Sequence, residues 1–231
     1  MICIIPARLH STRLNKKLIT CIKNKPLICY TYENIVNSTL FDDVYVASDS
    51  KEILNLLPKK SRILTNQCSN GTQRVFDACK ILSLNDNDIV CNVQGDYPNI
   101  SHSDLQTFVD DKKIIENVKK LVLTAYINIK NIEQCFNTNI VKVAVEQQKC
   151  LYFSRQNISF YKHIGIYGYS FLTLKIYNEL PVGYYEAFEN LEQLRSLLTF
   201  DYYGVEFYND VIGIDTAQHL LNFREFLDDN S

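Results

Sequence analysis

Hydrophobic and polar positions follow two rhythms along this chain, and the switches between them mark out its elements. Residues 2–5 are a short apolar run, and residues 42–49 are a second that ends in Ser48-Asp49. Short apolar runs bounded by polar or turn residues predict buried strands. Between them Pro26 opens a helix predicted over 27–38, because proline at a helix start gives up only a donor that has no partner there. A short helix at 51–57 is stopped by Pro58, and 62–65 reads as another short strand. Residues 68–74 lead into a helix through about 82, with Ser69 or Thr72 as candidate N-cap. A strand over 88–93 ends abruptly at Gly95-Asp96 and Pro98. Residues 101–104 have the form of a capping box, starting a helix to about 110, and a lysine-rich connection follows.

The second half continues with a strand at 121–127 and an alternating, half-buried strand at 140–145. A segment at 151–155 ends in Ser154-Arg155. In 163–169, apolar and aromatic residues surround Gly165 and Gly168, a strand over which a ligand could lie. The clearest helical pattern is 185–198: Leu191, Leu194 and Leu198 keep a 3.6-residue period, and Glu186, Glu189 and Gln193 share a second, solvated face. An edge-like strand at 205–208, a turn at 213–216 and an amphipathic helix over 216–227 close the chain. Strand and helix patterns alternate, which predicts an α/β fold. The length of 231 residues fits one domain, with an inserted subregion at about 121–200.

Composition changes this picture little. Hydrophobic residues make up 46% and charged residues 22%, with net charge −2, ordinary values for a soluble globular protein. No basic face speaks for nucleic acid. The N-terminal apolar run is too short for a signal peptide or membrane span and meets Pro6 at once, so a cytoplasmic protein without membrane insertion is expected. The eight cysteines contain no C-x-x-C pair, so reduced thiols are expected and a zinc site is not; Cys3 and Cys91 read as small core residues.

Three stretches carry candidate chemistry. The loop after the first strand holds Arg8, Ser11, Thr12, Arg13, Lys16 and Lys17, donors that can surround a polyphosphate, although a solvated basic loop has the same composition. It lacks the glycines of a P-loop or a dinucleotide fingerprint, which speaks against a Rossmann oxidoreductase. At 92–96, Asn92-Val93-Gln94-Gly95-Asp96 puts a carboxylate at a strand's carboxyl end, where α/β sheets bind ligands. Gly95 would let a ligand approach the backbone, and Asp96 would hold a metal-bound phosphate or simply bond turn amides. Gly71-Thr72 at a helix start leaves amides exposed, which suits a nucleotide.

The motifs Ile5-Pro6-Ala7-Arg8-Leu9-His10-Ser11-Thr12-Arg13-Leu14, Gly71-Thr72-Gln73-Arg74 and Asn92-Val93-Gln94-Gly95-Asp96 occur in order along the chain. Five more follow, at 136–143, 151–155, 163–169, 191–195 and 213–216. With these eight, the chain resembles the CMP-KDO synthetases, the 3-deoxy-manno-octulosonate cytidylyltransferases. The resemblance implies a nucleotide-diphospho-sugar transferase-like (Rossmann-like) α/β fold, with a mixed central sheet flanked by helices. It implies a homodimer that joins CTP to the acidic 2-keto sugar KDO and releases pyrophosphate, for lipopolysaccharide biosynthesis. By the same resemblance Asp96 and Asp215 hold Mg²⁺. Arg8, Ser11, Arg13, Lys17, Gly71, Thr72 and Arg74 contact CTP, with Arg13 and Lys17 joining the two aspartates in catalysis. Gln94, His163, Tyr167, Glu192 and Gln193 contact the sugar.

The chain departs from the family's pattern in four places. Asn15-Lys16 replaces a Pro-Gly turn, Gln73 stands where an acid is usual, Tyr97 replaces the glutamate after Asp96, and the link from Arg155 to His163 is short. A phenol is neutral near pH 7 and a poor Mg²⁺ ligand, so Tyr97 is not expected to substitute for that glutamate in coordination. Tyr97 and the short link also admit the same chemistry on a related keto-acid sugar (an amino-KDO or a nonulosonic acid), and a non-catalytic CTP-binding paralogue is a third reading from another class.

Overall fold

The computed structural model describes residues 1–10, 14–118 and 120–229. In chain order its elements are β1 (Ile2–Ala7), β2 (Cys21–Ile22), β3 (Lys25–Pro26), α1 (Leu27–Asn37), β4 (Val44–Ser48), α2 (Lys51–Leu54), β5 (Arg62–Leu64), α3 (Gly71–Ile81), β6 (Ile89–Val93) and α4 (His102–Asp110). They continue with α5 (Lys112–Asn117), β7 (Leu121–Asn128), α6 (Ile132–Phe136), β8 (Lys142–Glu146), β9 (Lys149–Ser154), β10 (Tyr161–Ser170), α7 (Phe171–Glu179), α8 (Tyr184–Glu189), β11 (Asp201–Phe207) and α9 (Ala217–Asp229). The chain divides into two compact units. The first is Ile2–Ser83, Asn92–His102 and Val211–Ser231; the second is Leu84–Cys91 and Ser103–Asp210, with Met1. The subregion expected at 121–200 falls inside the second unit.

In the first unit the strand order is β5-β4-β1. β1 and β4 run parallel, with Ala7 opposite Ser48, so Arg8 and Asp49 leave the sheet at the same carboxyl edge. Helical connections between parallel strands bury both faces, which is why Ile4, Ile5, Val46 and Ala47 are fully buried. Two helices of this unit start on a side-chain cap. Ser50 accepts from the Ile53 amide at α2, and Asn70, neither Ser69 nor Thr72, accepts from the Gln73 amide at α3.

In the second unit the order is β10-β7-β11-β9-β8. β7 is antiparallel to β10 and parallel to β11, and β9 is antiparallel to both β11 and β8, so the sheet is mixed. β11 lies between β7 and β9 and is not an edge strand. Three helices here were not expected: α5, α6 and α7, the last capped by Ser170 through the Thr173 amide.

Two expectations need correction. The 185–198 helix is two short pieces. α8 ends at Asn190, which is left-handed at φ 54°, Leu191 is extended, and a 3₁₀ turn spans Glu192–Arg195. The supposed solvated face is the buried one: Glu186, Glu189 and Gln193 are inside, whereas Leu198 is fully exposed. At 140–145 alternation put Lys142 on the wet side, yet Lys142 is fully buried. All eight cysteines are free, with Cys3 and Cys91 in the core.

Candidate active site

Three side chains of the first unit meet. Lys17 Nζ donates to Asp96 Oδ2 at 2.5 Å and to Asp215 Oδ1 at 2.9 Å, although 79 and 198 residues separate it from them. Lys16, left-handed at φ 53°, turns the chain into the 3₁₀ turn Lys17–Ile19 that presents this lysine. Behind it Gly95 makes room: a Cβ there would lie 3.1 Å from Ile28 and 3.3 Å from Leu18 and the Pro6 carbonyl. The close approach expected of Gly95 is therefore to the protein's own core. Thr31 Oγ1 on α1 donates to the Gly95 carbonyl at 2.8 Å and fixes the strand end that carries Asp96.

Asp215 is placed by its backbone. The Ile212 amide donates to Asn99 Oδ1 at 2.9 Å, the Ile214 amide to the Asp96 carbonyl at 3.1 Å, and the Asp215 amide to His219 Nδ1 at 3.2 Å. Sequence reasoning had no signal for Thr31, Asn99 or His219, whose work is to hold backbone. Burial alone would lower the Lys17 pKa; the charges and hydrogen bonds of Asp96 and Asp215 outweigh it and hold the ammonium above the ordinary lysine value. The carboxylates keep 21% and 30% side-chain exposure. A carboxylate has about four acceptor positions, more than Lys17 occupies.

Two hard oxygen anions that share the Lys17 ammonium are the donor type that suits Mg²⁺, which takes one or two carboxylates and completes its shell with waters and substrate phosphate oxygens. No group of three or more His, Cys, Asp or Glu side chains gathers among the described residues, so the donor set stops at this pair.

Around the start of α3, Gln73 completes a reciprocal box: its amide donates to Asn70 Oδ1 at 2.8 Å, and its Oε1 accepts from the Ser69 amide at 2.9 Å. Glutamine at this position thus keeps the capping function of an acid. Gln94 lies beside the first turn, its Oε1 3.7 Å from where a Gly71 Cβ would stand, and it donates to Asn92 Oδ1 at 3.3 Å. Arg74 is buried, donating to Thr65 Oγ1 at 2.8 Å and pairing with Asp49 at 3.2 Å, so its guanidinium ties α3 to the sheet edge. Arg8 is exposed just past β1. Ser11 and Arg13 lie outside the described residues.

Of the residues expected at the sugar, Gln94 belongs to the first unit and the other four to the second. His163 is buried on β10, with its ring edge-on to Phe153 at 4.9 Å and tilted against Tyr167 at 5.7 Å. Burial pushes its pKa down to about 3, so the imidazole is neutral. Thr124 Oγ1 lies 2.9 Å from the Ile166 carbonyl and 2.8 Å from His163 Nε2, so Nε2 is the ring nitrogen engaged inside the protein. Thr124 was missed, being one polar residue in an apolar strand; it also holds the bulge in β10 between Ile164 and Tyr167. Glu192 is half-buried and Gln193 buried on the 3₁₀ turn, and the Glu192 carbonyl accepts from the Tyr177 hydroxyl at 3.2 Å.

Parallel strands with a lysine and two aspartates gathered beyond their carboxyl edge make an α/β fold with a candidate ligand site where such sheets bind ligands. A likeness that shows the fold alone agrees: a Bacillus anthracis protein assigned as a glucose-1-phosphate thymidylyltransferase, solved with sucrose, superposes with a TM-score of 0.75 at 15% identity, covering 99% of this chain and 96% of that one. The cytidylyltransferase family model matches residues 2–207. The 3-deoxy-manno-octulosonate cytidylyltransferase of Thermodesulfovibrio yellowstonii is 36% identical, covering 95% of this chain and 94% of its own. That of Francisella tularensis subsp. holarctica is 35% identical over 96% of each. A CMP:2-keto-3-deoxy-manno-octonic acid synthetase solved with CTP superposes with a TM-score of 0.90 at 28% identity, covering 100% of this chain and 99% of that one. The chain belongs to the cytidylyltransferase family, among the 3-deoxy-manno-octulosonate cytidylyltransferases. No helix of the described residues is long and apolar enough to cross a membrane.

Proposed function

We propose that this enzyme transfers the cytidylyl group of CTP to KDO, giving CMP-KDO and pyrophosphate for lipopolysaccharide biosynthesis. One observation carries the reading beyond family membership: Asp96 and Asp215 are brought together on the Lys17 ammonium. The sugar's anomeric oxygen forms a bond to the α-phosphorus as the bond to pyrophosphate breaks, and negative charge grows on the leaving group. Such a site needs fixed positive charge more than covalent chemistry. Asp96 and Asp215 would hold Mg²⁺, which supplies a hard cation to the phosphate oxygens. Lys17, with Arg8, Ser11 and Arg13, grips the triphosphate. The first amides of α3, at Gly71 and Thr72, face the nucleotide, and Arg74 braces that helix from beneath.

His163 takes part as a neutral imidazole, which a sugar hydroxyl can meet, and Tyr167, Glu192 and Gln193 of the same unit supply further contacts; family resemblance adds Gln94 to the sugar-binding set. A homodimer in the cytoplasm belongs to the same reading. Tyr184, Tyr185 and Phe188 on α8 are each at least 60% exposed, an apolar cluster suited to a second copy. The relatives favour KDO over another keto-acid sugar and over a non-catalytic role. The test is pyrophosphate release from purified protein with CTP, KDO and Mg²⁺, run beside UTP and metal-free controls. Release that requires all three components is expected. CTP binding without release, with KDO and with other keto-acid sugars, would overturn the catalytic reading.

A further inference from the structure

We infer that Tyr97 is a positioning residue for the cation site, its ring seated on Gly213 to fix the loop that carries Asp215. The inference rests on reading Asp96 and Asp215 as the cation ligands.

Asp215 lies on an irregular stretch leading into α9, and a carboxylate on such a stretch is only as well placed as its backbone. Two hydrogen bonds pin it on either side of Gly213, from the Ile212 amide to Asn99 and from the Ile214 amide to the Asp96 carbonyl. Between those pins the contact is a ring. A Cβ on Gly213 would stand 3.0 Å from Tyr97 Cε1 and 3.7 Å from Cδ1, so the tyrosine lies directly on the Gly213 backbone. Gly213 is not in the left-handed region. The space the ring fills, and no backbone requirement, is what calls for glycine there.

Tyr97 also directly follows Asp96, and its amide closes the turn onto the Gln94 carbonyl at 3.1 Å. One residue thus has its backbone in the Asp96 turn and its ring against the Asp215 loop, and it sets the spacing between the two carboxylates. Metal sites tolerate errors of roughly 0.5 Å in ligand position, so that spacing matters. A neutral phenol is a poor Mg²⁺ ligand, but a ring can hold a loop. Tyr97 therefore serves the site by packing, whatever a coordinating residue at this position would do.

The experiment measures Mn²⁺ binding in the presence of CTP by electron paramagnetic resonance, on wild type, Tyr97→Phe, Tyr97→Ala, Gly213→Ala and the Tyr97→Ala/Gly213→Ala double variant. Tyr97→Phe should bind as wild type does. Tyr97→Ala and Gly213→Ala should each weaken Mn²⁺ about tenfold, the usual loss when a residue orienting a ligand is removed. CTP affinity measured without metal should not change. The double variant should be no weaker than either single one, because the new methyl enters the space the ring has left, and such coupling is the mark of direct contact.

Wild-type binding in Tyr97→Ala would overturn the inference. So would a loss in Tyr97→Phe as large as in Tyr97→Ala, which would assign the role to the hydroxyl, or additive losses in the double variant. If Tyr97→Ala does not fold, Gly213→Ala and Tyr97→Phe still decide. Should Asp215→Asn bind Mn²⁺ as wild type does, the cation reading itself fails and the inference with it, an outcome read on a different variant.

Discussion

Lys17 and Lys142, one in each unit, are both buried and answer burial in opposite ways. Lys17 faces two carboxylates and its pKa rises. Lys142 faces carbonyl dipoles, at Asn137 and Ile140 (2.9 Å each) and Arg155 (2.6 Å), and burial drives its pKa down, because dipoles satisfy its hydrogen bonds without matching its charge. The acids divide likewise. Asp96 and Asp215 stay partly exposed, whereas Glu186 is held by Arg195 through two bonds of 2.7 and 2.6 Å, and Glu189 by Ser154 Oγ at 2.6 Å and the Arg155 amide at 3.0 Å. A charged side chain closed in by internal partners is structure. Opposite charges that meet at a partly open edge are a site.

The sharpest way to break this contrast is to neutralise the open pair. Asp96→Asn or Asp215→Asn should cut CTP-dependent pyrophosphate release by about three orders of magnitude, each removing one anionic ligand from a hard cation, while the urea midpoint stays close to wild type. A variant within a few-fold of wild-type turnover would return that aspartate to the structural class.

Next in size is Lys142→Met, which leaves three part-buried carbonyls without their donor and should cost about 3 kcal/mol in urea unfolding. If stability is unchanged, the carbonyl cage around Lys142 is not what holds the 137–140 turn to Arg155.

His163 gives a pH-dependent version of the same contrast. Its pKa is lowered from 6.5 to about 3 in the folded protein, so between those values the unfolded chain binds a proton that the folded one does not. Its contribution is undiminished above pH 6.5 and is lost as pH falls below it. From pH 7 to pH 5 wild type should lose about 2 kcal/mol more than His163→Gln, which cannot titrate. Parallel pH profiles for the two proteins would show that His163 is solvated in solution.

Much of the first unit was legible because several local signals agreed. Pro26, the Gly71-Thr72 helix start and the run ending at Asp96 each coincide with a switch in hydrophobic period, so α1, α3 and the end of β6 fall close to where the pattern puts them. Family motifs supplied Asp215, whose place depends on pairing over more than a hundred residues. The second unit was harder. α7 follows β10 with no glycine or proline between them, and Ser170 is its only start signal. Lys142 reads as a surface residue in any alternating strand, because the carbonyls that accept from it come from turns. Ser11 and Arg13, the remaining loop residues expected at CTP, lie outside the described residues.

The smallest effect tests the misread helix. Leu191, Leu194 and Leu198 keep helical spacing on paper, and in one continuous helix all three would share a buried face. Asn190 and the extended Leu191 break that helix, leaving Leu191 and Leu194 buried and Leu198 fully exposed. Leu194→Ala should therefore cost about 2 kcal/mol, as core truncations do. Leu198→Ser should change stability by less than about 0.5 kcal/mol, provided both are read at low protein concentration, where subunit association adds little. Similar costs at the two positions would mean a continuous helix in solution. Glu186, Glu189 and Gln193 would then turn to solvent, and the second unit would lose the buried acids on which its contrast with Asp96 and Asp215 depends.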